Sequence, residues 1–418
     1  MRRIRAIFSL MSAVALAGVA AAFVQPGTTR WLEAQTGEAA PGGQARALWN
    51  AALDLARPPL RLALDTPLNL RVDTPYAVNT FLHQEVEPAK RARQLQMIRD
   101  AGFDWIRQPF PWYDLEIRAK GDFTDRRNEP AKSAWDKYDN IVGLAEQYGV
   151  GIIARLEAPP EWAHQGYADL GTLGPPADFA DYANYVAAVA QRYKGRIRAY
   201  QLWNEPNIYP EWGAQAVNPE DYARMLCMAY ARVKAIDPEA IVLAAALAPT
   251  VEQSGRDLSD LIFLQRMYIA GAGKCFDVAS AQGYGLFSGP EDRRLSPLGT
   301  NVARHTLMRD IMVSNGDAGK PIWLAEANWN ALPPVNAGIA GYGNFGIVTL
   351  EEQARYVPQL YARARRDWPW VGAIAVWFFK PASDADKNQA VYYFRMVEPD
   401  FTPLPLYEAL RAMPKISK

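Results

Sequence analysis

Two glutamates stand where a strand gives way to a loop. Glu205 lies in Trp203-Asn204-Glu205-Pro206-Asn207, directly after the apolar run 197–202, and Pro206 forbids the strand to continue. Glu326 ends the later run Pro321-Ile322-Trp323-Leu324-Ala325. A carboxylate beside an amide, with a second carboxylate on the same rim, is the equipment of glycoside hydrolysis: one acid protonates the leaving oxygen and the other attacks the sugar carbon. Such a pair is useful only if a rigid scaffold carries both strand ends to one mouth.

The chain supplies a pattern for that scaffold. From Tyr76 onward, short apolar runs alternate with amphipathic helices. Strands are expected over 76–81, 103–107, 150–156, 197–203, 240–247, 276–282, 321–326 and 371–378. Helices are expected over 89–101, 133–148, 179–193, 219–236, 257–270, 301–315, 351–366 and 406–413. Eight βα units in this length predict an α/β fold, a (β/α)8 TIM barrel over residues 71–418. An open doubly wound sheet is the competing architecture, but Asn79-Thr80-Phe81-Leu82-His83 offers no Gly-rich nucleotide turn after the first strand.

Composition narrows the function classes. The 418 residues are 50% hydrophobic and 22% charged, enough apolar content for a large core. Lys+Arg and Asp+Glu both count 45, so no basic face for nucleic acid is expected. Thirteen Trp and twenty Tyr are compatible with ordinary core and also with a cleft whose flat rings stack on sugars. The three histidines, His83, His164 and His305, are scattered without metal-ligand spacing, so no metal and no organic cofactor is expected. His305 reads as a surface or packing residue. Cys227 and Cys275 read as two buried thiols, with one disulfide neither required nor excluded.

The amino terminus points outward from the cytoplasm. Met1-Arg2-Arg3-Ile4-Arg5 precedes an uncharged stretch to Val24, and Ala20-Ala21-Ala22 offers a cleavage site. Residues 1–25 read as a signal peptide, or as an uncleaved anchor tethering the chain to a membrane. Residues 26–70, rich in Pro and Gly and carrying a helical piece over 45–56, read as a connector that tethers the barrel or straps onto it.

At the strand ends stand Asn79, Arg107, Glu157, Asn204-Glu205, Tyr284, Glu326 and Trp377. The strand-four motif Trp203-Asn204-Glu205-Pro206 resembles the Asn-Glu-Pro signature of the clan A retaining glycoside hydrolases, and 321–326 resembles their nucleophile strand. Within the clan, the barrel is most similar to family 39, the β-xylosidases and their exopolysaccharide-associated relatives. The resemblance implies an exported retaining enzyme acting on an oligo- or polysaccharide. Glu205 would be the acid/base and Glu326 the nucleophile, their carboxyls roughly 5–5.5 Å apart. It further implies that Asn204 bonds the sugar 2-hydroxyl, Tyr284 orients the nucleophile, Trp377 forms the platform beneath the sugar, and Arg107 keeps the nucleophile ionised. The chain departs from the clan where His-x-Tyr is usual: it reads Gln282-Gly283-Tyr284. Glutamine donates a hydrogen bond but does not titrate near neutrality, which bears on sugar recognition. A non-hydrolytic glycan-binding barrel and a transglycosylase are the alternatives.

Several further residues have two readings. Trp112, Trp162, Trp212 and Trp329 sit in loops past strand ends, where stacking on substrate is expected for about half of them. Glu157 and Glu161 read as substrate-contacting or structural. Trp323, by strand alternation, should point away from Glu326 toward the outer helices, and Trp368 and Trp370 should be core. The Gly-rich loop 338–346 lacks the Lys-Ser/Thr end of a phosphate cradle and reads as a mobile lid over the cleft.

Overall fold

The computed structural model describes residues 26–36, 38, 40–54, 58–164 and 173–415, so the leader 1–25 lies outside the described residues. Eight parallel strands make the barrel: β1 Tyr76–Asn79, β2 Trp105–Pro111, β3 Gly151–Glu157, β4 Ala199–Asn204, β5 Ile241–Ala246, β6 Ala279–Gln282, β7 Ile322–Ala327 and β8 Val371–Val376. Their order is β5-β4-β3-β2-β1-β8-β7-β6. The bridges Leu243↔Val278 and Leu247↔Ala281 join β5 to β6 and close the ring.

The helices begin where the local chemistry favours them. Among those described, α1 is Pro26–Thr36, α2 Pro41–Asp54, α3 Pro88–Asp100, α4 Asp136–Gln147, α5 Phe179–Arg192 and α6 Pro219–Ile236. They are followed by α7 Asp260–Ile269, α8 His305–Ser314, α9 Leu350–Asp367 and α10 Pro405–Ala412. Asn218 caps α6 by accepting from the Asp221 amide, with Pro219 opening the first turn. Thr349 and Glu352 form a reciprocal capping box at α9. Burial of one apolar face of each of α3 to α10 against the outer side of the strands builds the main core.

The largest difference at a strand boundary is in β2, which runs four residues beyond the expected end at Arg107. Pro109 and Pro111 argue against a strand in sequence, yet β2 stays paired with β3 through Pro111↔Glu157. On the β1 side, pairing ends at Asn79↔Arg107. The missing proline N–H groups therefore interrupt no ladder on that side.

A second apolar cluster fills the barrel interior, with Ala77, Trp105, Ile153, Ala199, Leu243 and Trp323 among its members and Val72 joining them. Trp323 is thus inside the barrel against Trp105, not among the outer helices as alternation predicts. The reason is a bulge. Ala281 pairs with Leu324 but Gln282 pairs with Glu326, so one β7 residue is skipped and the side-chain parity resets. Trp323 and Glu326 both face inward because of that extra residue.

The connector straps onto the barrel. The Arg61 amide donates to Asp310 at 2.6 Å, Asn69 bonds Gly319 at 2.7 Å, and Arg294 pairs with Glu38 at 2.5 Å. The two cysteines are not free thiols: Cys227 of α6 and Cys275 form a disulfide, with Cα atoms 4.9 Å apart, tying the helix to the segment before β6. Their separation of 48 residues and their placement in different elements gave no sign of pairing in sequence. Among the described residues no helix is long and apolar enough to cross a membrane.

Candidate active site

Backbone conformation at the end of β4 aims the first glutamate. Trp203 adopts φ 76° and Glu205 φ 41°, both in the left-handed region that non-glycine residues rarely occupy. The turn at Trp203 sends its indole outward among Tyr182 and Trp212, where its Nε1 donates to the Glu211 carbonyl at 2.9 Å. Asn204, which would otherwise follow Leu202 to the outer face, faces the interior and meets Arg107. The Glu205 amide remains anchored to the Ala246 carbonyl of β5 at 2.9 Å.

Arg107 organises the floor of the mouth. It is 1% exposed, and its guanidinium donates to four side chains. Nε reaches Gln201 at 2.7 Å, Nη1 reaches Asn79 at 2.8 Å and Glu326 at 2.7 Å, and Nη2 reaches Asn204 at 2.7 Å. A guanidinium only donates, so it must face the carbonyl oxygens of the three amides. For Asn204 this fixes the side chain with its Oδ1 occupied and its NH2 left to donate to a ligand. Asn79 returns its own NH2 to the Ala325 carbonyl at 2.9 Å, locking the backbone just before Glu326.

Glu326 accepts from both sides. Arg107 binds Oε1, and the Tyr284 hydroxyl donates to Oε2 at 2.7 Å. Arg155 stands 3.6 Å from Oε1 and pairs at 2.6 Å with Glu157. Two cations and a phenol converging on a carboxyl that is only 4% exposed form a donor set suited to an anion.

Glu205 has the opposite surroundings. Burial, and then the negative charge of Glu326, push its carboxyl up to about 8 against the ordinary 4.5. Its one side-chain hydrogen bond among the described residues comes from Gln282 Nε2, at 2.6 Å. Two carboxyls facing one mouth are therefore divided: one is held by cations and the other retains its proton through neutral pH.

Eight residues singled out in sequence meet in this network: Asn79, Arg107, Glu157, Asn204, Glu205, Gln282, Tyr284 and Glu326. Trp377 stands just past β8, half-buried, with its ring edge-on to Phe81 at 5.3 Å. The tryptophans of the loops mostly do not line the cleft. Trp329 is fully buried, its Nε1 donating to the Ser288 carbonyl at 2.7 Å and its indole packed on Gly285, so it has no free face for a sugar. Trp112 and Trp212 are likewise buried. Trp162 is half-buried, tied to the Glu116 carbonyl at 2.7 Å and packed edge-on to Trp112. His305 is a packing residue, its ring 4.3 Å from that of Trp368.

The loop 338–346 is packed in place and is no free lid. Ala340 bridges Gln389, Ile339 packs with Leu332 and Ala390, and Tyr342 donates to the Pro333 carbonyl at 2.8 Å. Phe345 of this loop packs on Phe394, which in turn packs on Tyr284. The loop therefore buttresses the residue that holds Glu326.

Sequence reasoning passed over three members of the site. Arg155 carries a signal: in Ile153-Ala154-Arg155-Leu156-Glu157 the two charges fall on one face of β3, two residues apart. Gln201 lies inside β4 and looks like an ordinary mid-strand residue until Arg107 is placed beside it. Glu211 comes from the loop after β4 and has no pattern at all. Its carboxyl is raised by burial and then by Glu157 and Glu205.

Residues 73–254 match the family model Cellulase (glycosyl hydrolase family 5), a stretch that spans β1 to β5 and includes Glu205. Over these strands the barrel is similar to a family 5 glycosyl hydrolase domain. No curated protein matches the chain by sequence. Among solved structures, the barrel is similar to a family 39 glycoside hydrolase from the gut symbiont Bacteroides cellulosilyticus WH2. The two share 19% identity at a TM-score of 0.58, over 83% of this chain and 65% of the other. A monomeric β-xylosidase from Caulobacter crescentus CB15 shares 15% identity at a TM-score of 0.56, over 84% of this chain and 71% of that one. GH5_18 from Streptomyces cattleya, solved with Manβ1-4GlcNAc, shares 14% identity at 0.59, over 81% and 79%. At these identities the likeness establishes the fold.

Proposed function

We propose that the protein is an exported retaining glycoside hydrolase that cleaves O-glycosidic bonds of an oligo- or polysaccharide, a bacterial exopolysaccharide being the expected source, by double displacement. The observation that carries the reading is the division of the two glutamates: Glu326 held by Arg107 and Tyr284, and Glu205 half-buried with its carboxyl raised to about 8. Glu326 attacks the anomeric carbon while Glu205 gives its proton to the leaving oxygen. Ionised Glu205 then takes a proton from the water that releases the glycosyl-enzyme. The NH2 of Asn204, which has no hydrogen-bond partner among the described residues, is available to the sugar 2-hydroxyl, a contact that strengthens as the ring gains positive charge. The half-buried face of Trp377 is the expected platform for that ring.

Export is supported by the basic and apolar leader and by the disulfide Cys227–Cys275, since such bonds persist in oxidising compartments. Whether the leader is removed or retained as a membrane tether is read by mass spectrometry of the mature chain.

The test of the reaction uses aryl glycosides and exopolysaccharides with product analysis by NMR. Glu326→Gln is expected to abolish turnover. Glu205→Gln is expected to spare substrates with good leaving groups in the first step, with azide restoring release of a glycosyl azide. A product of inverted anomeric configuration, or two variants with full activity, sinks the proposal. Sugar binding without any product favours a glycan-binding barrel, and sugar-dependent products favour transglycosylation.

A further inference from the structure

Tryptophan is a residue this fold hides, and the connector breaks the habit twice. Of the thirteen tryptophans eleven are buried or half-buried, whereas Trp31 on α1 and Trp49 on α2 are 61% and 67% exposed. The opposite faces of these two helices are occupied: Leu32 and Thr36 of α1 and Gln44 and Ala47 of α2 are buried. Leu48 is exposed too, and with Leu60, Leu295 and the exposed Leu298 it lines a cleft of about 960 Å³ between the connector and the loop after β6. Apolar side chains from separate stretches of the chain therefore reach solvent on one side of the barrel, the sign of a surface that another body covers.

The charges on that side are mostly positive. Arg30, Arg46 and Arg61 are exposed. Among the nearby described carboxylates, Glu38 pairs with Arg294 and Asp310 accepts from the Arg61 amide, which leaves Glu33 exposed on α1. The origin of the chain indicates what lies against this face. The uncharged stretch to Val24 ends two residues before α1 begins at Pro26. Under the membrane-tether reading of the leader, on which this inference rests, Pro26 emerges at a bilayer surface. Trp31 follows five residues later, about 8 Å along a helix that rises 1.5 Å per residue. The headgroup layer on each side of the hydrocarbon is about 5–8 Å thick. Indoles favour that layer, and arginines beside them meet anionic headgroups.

We infer that the outer face of α1 and α2 lies on an anionic phospholipid bilayer, with Trp31 and Trp49 entering the headgroup layer. The contact orients the barrel. The connector runs from the catalytic rim, where Glu38 meets Arg294 after β6, to the opposite rim, where Asn69 bonds Gly319 before β7. The docked face is thus a flank of the barrel, and the mouth that holds Glu205 and Glu326 stays open to a polysaccharide beside the membrane.

The test places one nitroxide label at a time on the full chain, leader included, in vesicles of phosphatidylcholine and phosphatidylglycerol. Cys227 and Cys275 are joined, so Trp31→Cys, Trp49→Cys and Val86→Cys each offer one free thiol. Val86, exposed on the loop after β1, is the water-facing control. EPR power saturation compares collisions with oxygen, which concentrates in lipid, and with a nickel chelate, which stays in water. Docking predicts an oxygen-to-nickel ratio above about three at Trp31→Cys and Trp49→Cys, and below about one at Val86→Cys. Labels at the two tryptophan sites that read like the control, while the chain floats with the vesicles, leave the tether intact and overturn the docking. A chain that does not float with the vesicles defeats the tether reading and the docking together. Spin–spin broadening at either tryptophan site in the absence of lipid identifies a second copy of the chain as the occupant and overturns the inference. The double variant Trp31→Ser, Trp49→Ser should turn over a soluble aryl glycoside within about twofold of wild type, since surface substitutions rarely disturb a distant site. A larger loss assigns the indoles to the catalytic barrel and overturns the docking, whereas a wild type inactive on every glycoside defeats only the hydrolase reading.

Discussion

Replacing Glu205 by glutamine should make the protein more stable, and the gain should depend on pH in a fixed direction. In the folded chain the Glu205 carboxyl is pushed from the ordinary 4.5 to about 8, by burial first and by Glu326 second. The unfolded chain releases this proton near the ordinary value, so between 4.5 and about 8 the folded state holds more protons than the unfolded one. Stability then falls as pH rises through that window and levels off above it. A rise of about 3.5 units at about 1.4 kcal/mol per unit gives a ceiling of about 5 kcal/mol above pH 8. Glutamine is neutral at every pH and can still meet Gln282, so Glu205→Gln removes the penalty and keeps the contact. Urea unfolding of both proteins at pH 4.5, 7 and 9 reads the difference. The variant should match the wild type at the lowest pH and exceed it by at least about 2 kcal/mol at the highest. A gap that is the same at all three values, or a wild type that is the more stable protein at pH 9, refutes the assignment of a protonated Glu205.

Tyr284→Phe removes the hydroxyl that donates to Glu326 at 2.7 Å and should lower kcat/KM for a dinitrophenyl glycoside about 10- to 100-fold; a loss under twofold would leave Tyr284 without a role at the nucleophile. Arg107→Met leaves Glu326, Asn204, Asn79 and Gln201 without their shared donor and should cost about 3–5 kcal/mol in urea unfolding besides abolishing activity. A folded variant of wild-type stability contradicts the central place given to that guanidinium. Trp329→Ala should lower stability by about 3–5 kcal/mol while leaving the KM of the folded fraction near wild type; a raised KM at unchanged stability would return Trp329 to the cleft.

The repeated alternation of apolar strands and amphipathic helices made the barrel legible, because a period of two and a period of 3.6 are each imposed by the backbone and survive any choice of side chain. The polar strand ends were legible for the same reason: a carboxylate closing an apolar run has few structural uses. What alternation could not deliver was orientation. It placed Trp323 and Glu326 on opposite faces, and a single skipped residue in β7 put both inside. The buried loop tryptophans failed differently. An indole past a strand end looks the same in sequence whether it meets a sugar or, like Trp329, a neighbouring glycine and a carbonyl. Cys227 and Cys275 met only because α6 and the segment before β6 pack together, a fact of tertiary structure alone.

These departures from regular geometry share a location. The left-handed turn at Trp203, the left-handed Glu205 and the skipped residue in β7 all lie within the last turns of the two strands that carry glutamates. A regular strand presents alternate residues to the barrel interior and so leaves the neighbour of an inward residue facing out. Asn204 and Gln201 are three apart in β4 yet both reach Arg107, which alternation forbids and the turn at Trp203 permits. Glu326 reaches the same guanidinium only after the slip in β7. The irregularities are therefore what converts two strand ends into one site, and they persist because Arg107 binds residues from β1, β4 and β7 at once. The same buried cation that holds Glu326 holds the backbone deviations that deliver it, so site geometry and local stability rest on one side chain.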